Sequence, residues 1–170
     1  RKTTFNADKI CSQTEFGFWR AQYRFNYKKT NQRLTMGKIV ITGASSAIGW
    51  EITKVVSTMN KPMLLHGNKK KELPLNELSC EAEFVTADFS SFPELEEFIA
   101  YLSDVDILIN AAAYTVTELL PQSSDESIDK MVAVNINALV KICKAVIPSM
   151  CIKRSGIIVN ISSSTASKVY

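Results

Sequence analysis

The residues with the clearest capacity for chemistry lie in Thr42-Gly43-Ala44-Ser45-Ser46-Ala47-Ile48-Gly49, a run of small side chains. It stands directly between the apolar stretch Lys38 to Thr42 and a helical pattern that begins at Ala47. Gly43 can take backbone angles closed to other residues, and Gly49 lets a helix approach a strand closely. The unsatisfied amides at the start of such a helix favour an anion, and a pyrophosphate suits a turn this small. Ala44, Ser45 and Ser46 surround it with small groups. Further polar residues close other apolar runs: His66 to Lys71, Asp88, Asn110 and Ser163.

These positions acquire meaning from the elements that carry them. From Met36 onward, short apolar runs alternate with helical stretches, the pattern of successive β–α units around a parallel sheet. Strands are expected over Lys38 to Thr42, Met63 to His66, Glu83 to Thr86, Val105 to Ile109 and Gly156 to Ile161. Helices are expected over Ala47 to Met59, Pro93 to Leu102 and Asp125 to Met150, the first ended by Asn60-Lys61-Pro62 and the last capped at Ser123 or Ser124. Right-handed crossovers make this an α/β fold, a doubly wound parallel Rossmann sheet of five strands, incomplete at its last edge. Ligands of such sheets sit beyond the carboxyl ends of the strands, which is where Gly43, Asp88, Asn110 and Ser163 fall. Each also has a plainer reading: Asp88 as a turn cap, Asn135 as a helix residue bonding nearby backbone, Ser163 as a polar strand end.

With those motifs in hand, residues 36 to 170 resemble the first half or more of a short-chain dehydrogenase/reductase of the type that reduces 3-oxoacyl thioesters and related ketones. Thr42, Gly43 and Gly49 match the family's Thr-Gly-x-x-x-Gly-x-Gly turn, with Ala47 in place of its middle glycine. Asp88 in Thr86-Ala87-Asp88-Phe89 matches the acidic residue that contacts the adenine. Asn110-Ala111-Ala112-Ala113 stands for Asn-Asn-Ala-Gly, keeping the first Asn and the third-position Ala. Asn135 and Ala138 match the Asn-x-x-Ala helix motif, and Ile158 to Ser163 match the fifth strand. The resemblance implies Ser163 and Asn135 as catalytic residues. It implies cofactor contacts at Gly43, Ser45, Ser46, Ile48, Gly49, Asn68, Lys69, Asp88, Phe89, Asn110, Ala111 and Ala112, and no metal.

A protein preferring NAD places an acid after the second strand to hold the ribose 2′-hydroxyl. Here Leu65-His66-Gly67-Asn68-Lys69-Lys70-Lys71 offers no acid before Glu72, and the lysines favour a 2′-phosphate. NADP(H) is therefore expected ahead of NAD(H), with a small-molecule carbonyl substrate, including an acyl thioester. His66 is expected as a strand-end neighbour of the adenosine rather than a base. The family mechanism is hydride transfer to a carbonyl oriented by the serine, with a Tyr-x-x-x-Lys tyrosine as acid. That motif is absent: Tyr170 has no lysine after it, and Ser164 to Lys168 carries serine where tyrosine belongs. The chain reads as truncated, and alone it is expected to be weakly stable and without turnover. The alternative is a dinucleotide-binding module acting as sensor or scaffold.

Composition bounds the rest. The 170 residues carry a net charge of +3 and are 46% hydrophobic, excluding a disordered or low-complexity chain. No run of roughly 18 apolar residues occurs, because Asn135, Asn137, Lys141 and Lys144 interrupt the longest one, so no membrane span is expected. Cys11, Cys80, Cys143 and Cys151 form no CxxC pair and read as reduced thiols in a cytoplasmic protein. Residues 1 to 35 hold 8 Lys/Arg against 2 Asp/Glu and 7 of the 15 aromatics. They are expected as a basic, aromatic extension, with a β segment where Ala21, Tyr23, Phe25 and Tyr27 alternate with polar residues. Such a segment can stack bases, but the alternation fits core cover better and nucleic acid is not an expected partner. The family pattern further implies a homo-oligomer through the 125–150 helix.

Overall fold

The computed structural model of the chain describes residues 37–163. The expected strand at residues 21–27, the Ser164 to Lys168 stretch, Tyr170 and Cys11 lie outside them. Among the described residues, five strands form one sheet in the order β3-β2-β1-β4-β5, every neighbouring pair parallel. They are β1 Lys38–Thr42, β2 Met63–Gly67, β3 Ala82–Thr86, β4 Val105–Asn110 and β5 Ile157–Asn160. The helices are α1 Ala47–Ser57, α2 Phe92–Ala100, α3 Asp125–Val132 and α4 Leu139–Lys153. Each strand bound agrees with the sequence expectation within one residue. Short 3₁₀ turns at Leu75–Glu77 and Leu120–Gln122 were not foreseen, since three residues carry no periodicity.

The burial of each strand follows its place. β1, β2 and β4 are central, so both faces are covered and their sequences read as continuous apolar runs. Among the described residues β3 and β5 stand at the edges, β3 half-buried and β5 largely exposed with Ile157 and Val159 uncovered. On one face Val40, Leu64 and Leu108 pack with Leu95 and Phe98 of α2 and with Ile142, Val146 and Met150 of α4. On the other, Ile39, Ile41, Met63, Leu65, Ile107 and Ile109 pack with Trp50, Ile52 and Val56 of α1. Helices on both faces make the sheet doubly wound, and the strand order reverses between β1 and β4, opening a crevice there.

The expected helix from Asp125 to Met150 continues to Lys153 and widens to π geometry over Ala133–Ala138. Pro148 sits inside it. Its 29 residues are long and apolar enough to cross a membrane by length and composition, although Asn135, Asn137, Lys141 and Lys144 interrupt its apolar run. The helix nonetheless lies along the sheet, with Ala138, Ile142, Val146 and Met150 buried at helical spacing. Val132, Ile136, Val140 and Ile147 are exposed.

Candidate functional site

Three backbone close approaches shape the turn after β1. Gly43 has φ +70°, and a β-carbon there would lie 2.6 Å from the Ala111 carbonyl oxygen and the Ala112 nitrogen, so the turn rests directly on the chain leaving β4. A β-carbon on Gly49 would lie 2.1 Å from the Gly43 carbonyl oxygen, so only glycine lets α1 start this close to the strand. The buried Thr53 hydroxyl donates to the Gly49 carbonyl at 2.7 Å. Ser46 caps α1, its hydroxyl accepting from the Gly49 amide at 3.0 Å, while its carbonyl accepts from the Trp50 amide at 2.9 Å. Among the described residues, the Ala47 and Ile48 amides have no hydrogen-bond partner. They form the positive end of an 11-residue helix, the donor set a pyrophosphate would take. Ala47 and Ile48 are exposed beside it.

The second and third strand ends are joined by His66, which is 2% exposed. Its Nδ1 accepts from the Gly43 amide at 3.2 Å, and its Nε2 donates to the Ala87 carbonyl at 2.9 Å. A backbone amide can only donate and a carbonyl only accept, so the ring is neutral with its proton on Nε2. Phe89 stacks on it with centroids 3.8 Å apart and planes 3° off parallel, and Phe98 lies at 5.0 Å. Burial drives the His66 pKa down to about 4, against the opposing pull of the Ala87 bond and the Asp88 charge. His66, expected beside the adenosine rather than as a base, is thus a buried, neutral ring at the end of β2 with both nitrogens engaged. The side chain of Phe89, expected at the cofactor, is buried against that ring.

Asp88 serves the turn before α2. Its Oδ1 accepts from the Ser90 amide at 2.9 Å and the Ser90 hydroxyl at 2.7 Å, and Lys130 Nζ stands 3.6 Å from Oδ2. Burial opposes its charge, but the Ser90 bonds and the Lys130 ammonium outweigh it and hold the carboxyl below the usual range. Asn68, Lys69 and Lys70 are exposed after β2. Lys71 reaches back across the first turn, its Nζ donating to the Ser45 carbonyl at 2.8 Å.

At the crevice, Thr42, Asn110 and Asn160 pair in register across β1, β4 and β5. Thr42 Oγ1 accepts from the Ala111 and Ala112 amides, each at 3.2 Å. These bonds hold the loop after β4, with Ala111 and Ala112 expected at the cofactor, to β1. Asn110 is 4% exposed, and its Nδ2 donates to Asn160 Oδ1 at 2.9 Å, tying β4 to β5. Its Oδ1 is buried with no partner among the described residues. Asn135, in the π turn, grips Tyr114: Oδ1 accepts from the Tyr114 amide at 2.9 Å and Nδ2 donates to its carbonyl at 2.7 Å. Asn135, expected as a catalytic residue, thus holds the loop after β4 through both polar atoms of its side chain. Ser163 is exposed beyond the end of β5. Gly43, Ser45, Ser46 and Gly49 gather at one edge with Lys71, Asn110 and Ser163. Sequence reasoning missed Thr53, Lys71 toward Ser45, and Tyr114, because none belongs to a local pattern.

The fold and this edge define a doubly wound domain of the Rossmann type. Residues 37–170 match the short chain dehydrogenase family, and the chain belongs to it. It is 30% identical over 126 residues to the 3-oxoacyl-(acyl-carrier-protein) reductase of Rickettsia typhi, covering 73% of this chain and 52% of that protein. It is 31% identical over 136 residues to nodulation protein G of Rhizobium meliloti, covering 76% of this chain and 56% of that protein. The chain thus spans about half the length of these relatives. Among solved structures, the bulky-bulky ketone specific alcohol dehydrogenase of Comamonas testosteroni superposes with TM-score 0.73 at 25% identity, over 78% of this chain and 57% of that one. A short-chain dehydrogenase of Sphingobium yanoikuyae in complex with NADPH superposes with TM-score 0.72 at 26% identity, over 77% of this chain and 55% of that one.

Proposed function

We propose that this chain carries the dinucleotide-binding part of an NADPH-dependent reductase that converts a ketone or 3-oxoacyl thioester to an alcohol. The observation that carries the reading is the turn between β1 and α1. Its free Ala47 and Ile48 amides suit a pyrophosphate, and Lys71 is anchored 2.8 Å from the Ser45 carbonyl on the side reached from β2. With Lys69 and Lys70 exposed and no acid before Glu72, that side favours a 2′-phosphate over a bare hydroxyl. When bound, the reduced nicotinamide supplies the hydride. Asn135 fixes the loop that carries Tyr114, so the crevice beside β4 keeps one shape. Ser163, at the β5 end of the crevice, donates a hydrogen bond to the substrate carbonyl oxygen and orients it. The exposed apolar side of α3 and α4, with Val132, Ile136, Val140 and Ile147, suits a second copy of the chain. The half-buried thiols Cys80 and Cys143 suit a cytoplasmic setting.

The test is oxidation of NADPH and of NADH by the intact protein with a panel of ketones and a 3-oxoacyl thioester. Turnover with NADPH that disappears in Ser163→Ala supports the proposal. Lys71→Met should weaken NADPH roughly tenfold, about 1.4 kcal/mol, and leave NADH unchanged. Tight binding without turnover, or equal use of both cofactors, overturns it.

A further inference from the structure

His66 is the sole histidine of the chain, it is buried, and no step of the proposed reaction uses it. Its ring spans the two loops that flank a dinucleotide. One bond goes to the Gly43 amide, within the turn whose φ of +70° sets the path of the chain into α1. The other goes to the Ala87 carbonyl, immediately before Asp88 and the loop into α2. The Ala44 amide donates to the His66 carbonyl at 2.8 Å, so main chain and side chain of one residue hold successive residues of the turn. Phe89 and Phe98 fix the ring plane, leaving the imidazole no rotation by which to exchange its two partners. The ring contacts with Phe89 and Phe98 ask only for an aromatic plane, so packing alone does not call for two nitrogens here.

We propose that His66 is a positioning residue for the dinucleotide, its Nδ1 orienting the Gly43 peptide so that the turn presents its amides to a pyrophosphate. The inference rests on the reading of this edge as a dinucleotide site. The Nδ1 bond sets the turn, whereas the Nε2 bond to Ala87 secures β3 and serves stability. The two bonds therefore separate on substitution. Asparagine keeps an acceptor near the Nδ1 position, glutamine keeps a donor near the Nε2 position, and phenylalanine keeps neither.

The experiment measures NADPH and 2′,5′-ADP affinity by calorimetry, and thermal stability, in the intact protein and in His66→Asn, His66→Gln and His66→Phe. The expected result is affinity within about threefold of wild type for His66→Asn and a loss of roughly tenfold or more for the other two, with Tm lowered more in His66→Asn, which loses the Nε2 bond, than in His66→Gln, which keeps it. Affinity that follows Tm through all three variants, or is unchanged in His66→Gln and His66→Phe, overturns the proposal. The ¹⁵N shifts of the imidazole in the unmutated protein supply a check that needs no variant: a protonated Nδ1 at neutral pH overturns it too. Wild-type protein that binds neither ligand refutes the dinucleotide site itself, a result distinct from these.

Discussion

Acid should weaken the fold through one side chain in a defined window. His66 has a folded-state pKa of about 4 against 6.5 in the unfolded chain, because its buried ring cannot keep a charge and its Nδ1 already faces a donor. The folded state thus favours the neutral form. Its contribution is complete above pH 6.5 and is lost as pH falls toward 4. A shift of about 2.5 units corresponds to about 3 kcal/mol at about 1.4 kcal/mol per unit, of which about 2 kcal/mol is lost between pH 7 and pH 5. Asp88, the charged group acting on the ring, has its pKa lowered from 3.8, as does Asp106, so both stay ionised through this window. No other histidine titrates there. Urea unfolding at pH 7, 6, 5 and 4.5, with and without His66→Asn, measures the loss. The wild-type curve should fall by about 2 kcal/mol more than the variant between pH 7 and pH 5. Parallel curves would refute the reasoning, because a ring able to accept a proton in place is not locked between an amide and a carbonyl.

Other substitutions test the remaining joints. Gly49→Ala forces its methyl to within 2.1 Å of the Gly43 carbonyl, so α1 must retreat, costing about 1–3 kcal/mol by urea unfolding and weakening NADPH in calorimetry. Asn135→Ala removes both bonds to Tyr114 and strands a peptide group, costing about 2 kcal/mol in the same assay, while Asn135→Asp keeps the acceptor and loses the donor. Val40→Ala, at a fully buried position on β1, should cost about 2 kcal/mol without changing relative preference for NADPH over NADH.

Much of the fold is legible in order along the chain. The continuous apolar runs of β1, β2 and β4 announce strands covered on both faces, and Ser124, one of two cap candidates, marks a helix start where its hydroxyl does accept from Ser127. Gly43 and Gly49 announce a close turn, because glycine between a strand and a helix has few other uses. The five motifs place polar residues at one sheet edge before any coordinates exist. What each of those residues does there is another matter. His66 and Phe89 lie in the polar strand-end segments that mark the ligand edge, yet they stack in the core. Asn135 resembles an active-site residue, yet both its polar atoms hold Tyr114, and the Ala111 and Ala112 amides go to Thr42. Lys71 gives no sign in sequence that it will find the Ser45 carbonyl, 26 positions away. The physical reason is range. Periodicity and capping act within a few residues and reveal which face or end a side chain occupies. A hydrogen-bond partner 21 to 70 positions distant is chosen by strand order, register and the depth of the crossover helices, and only the assembled sheet fixes those.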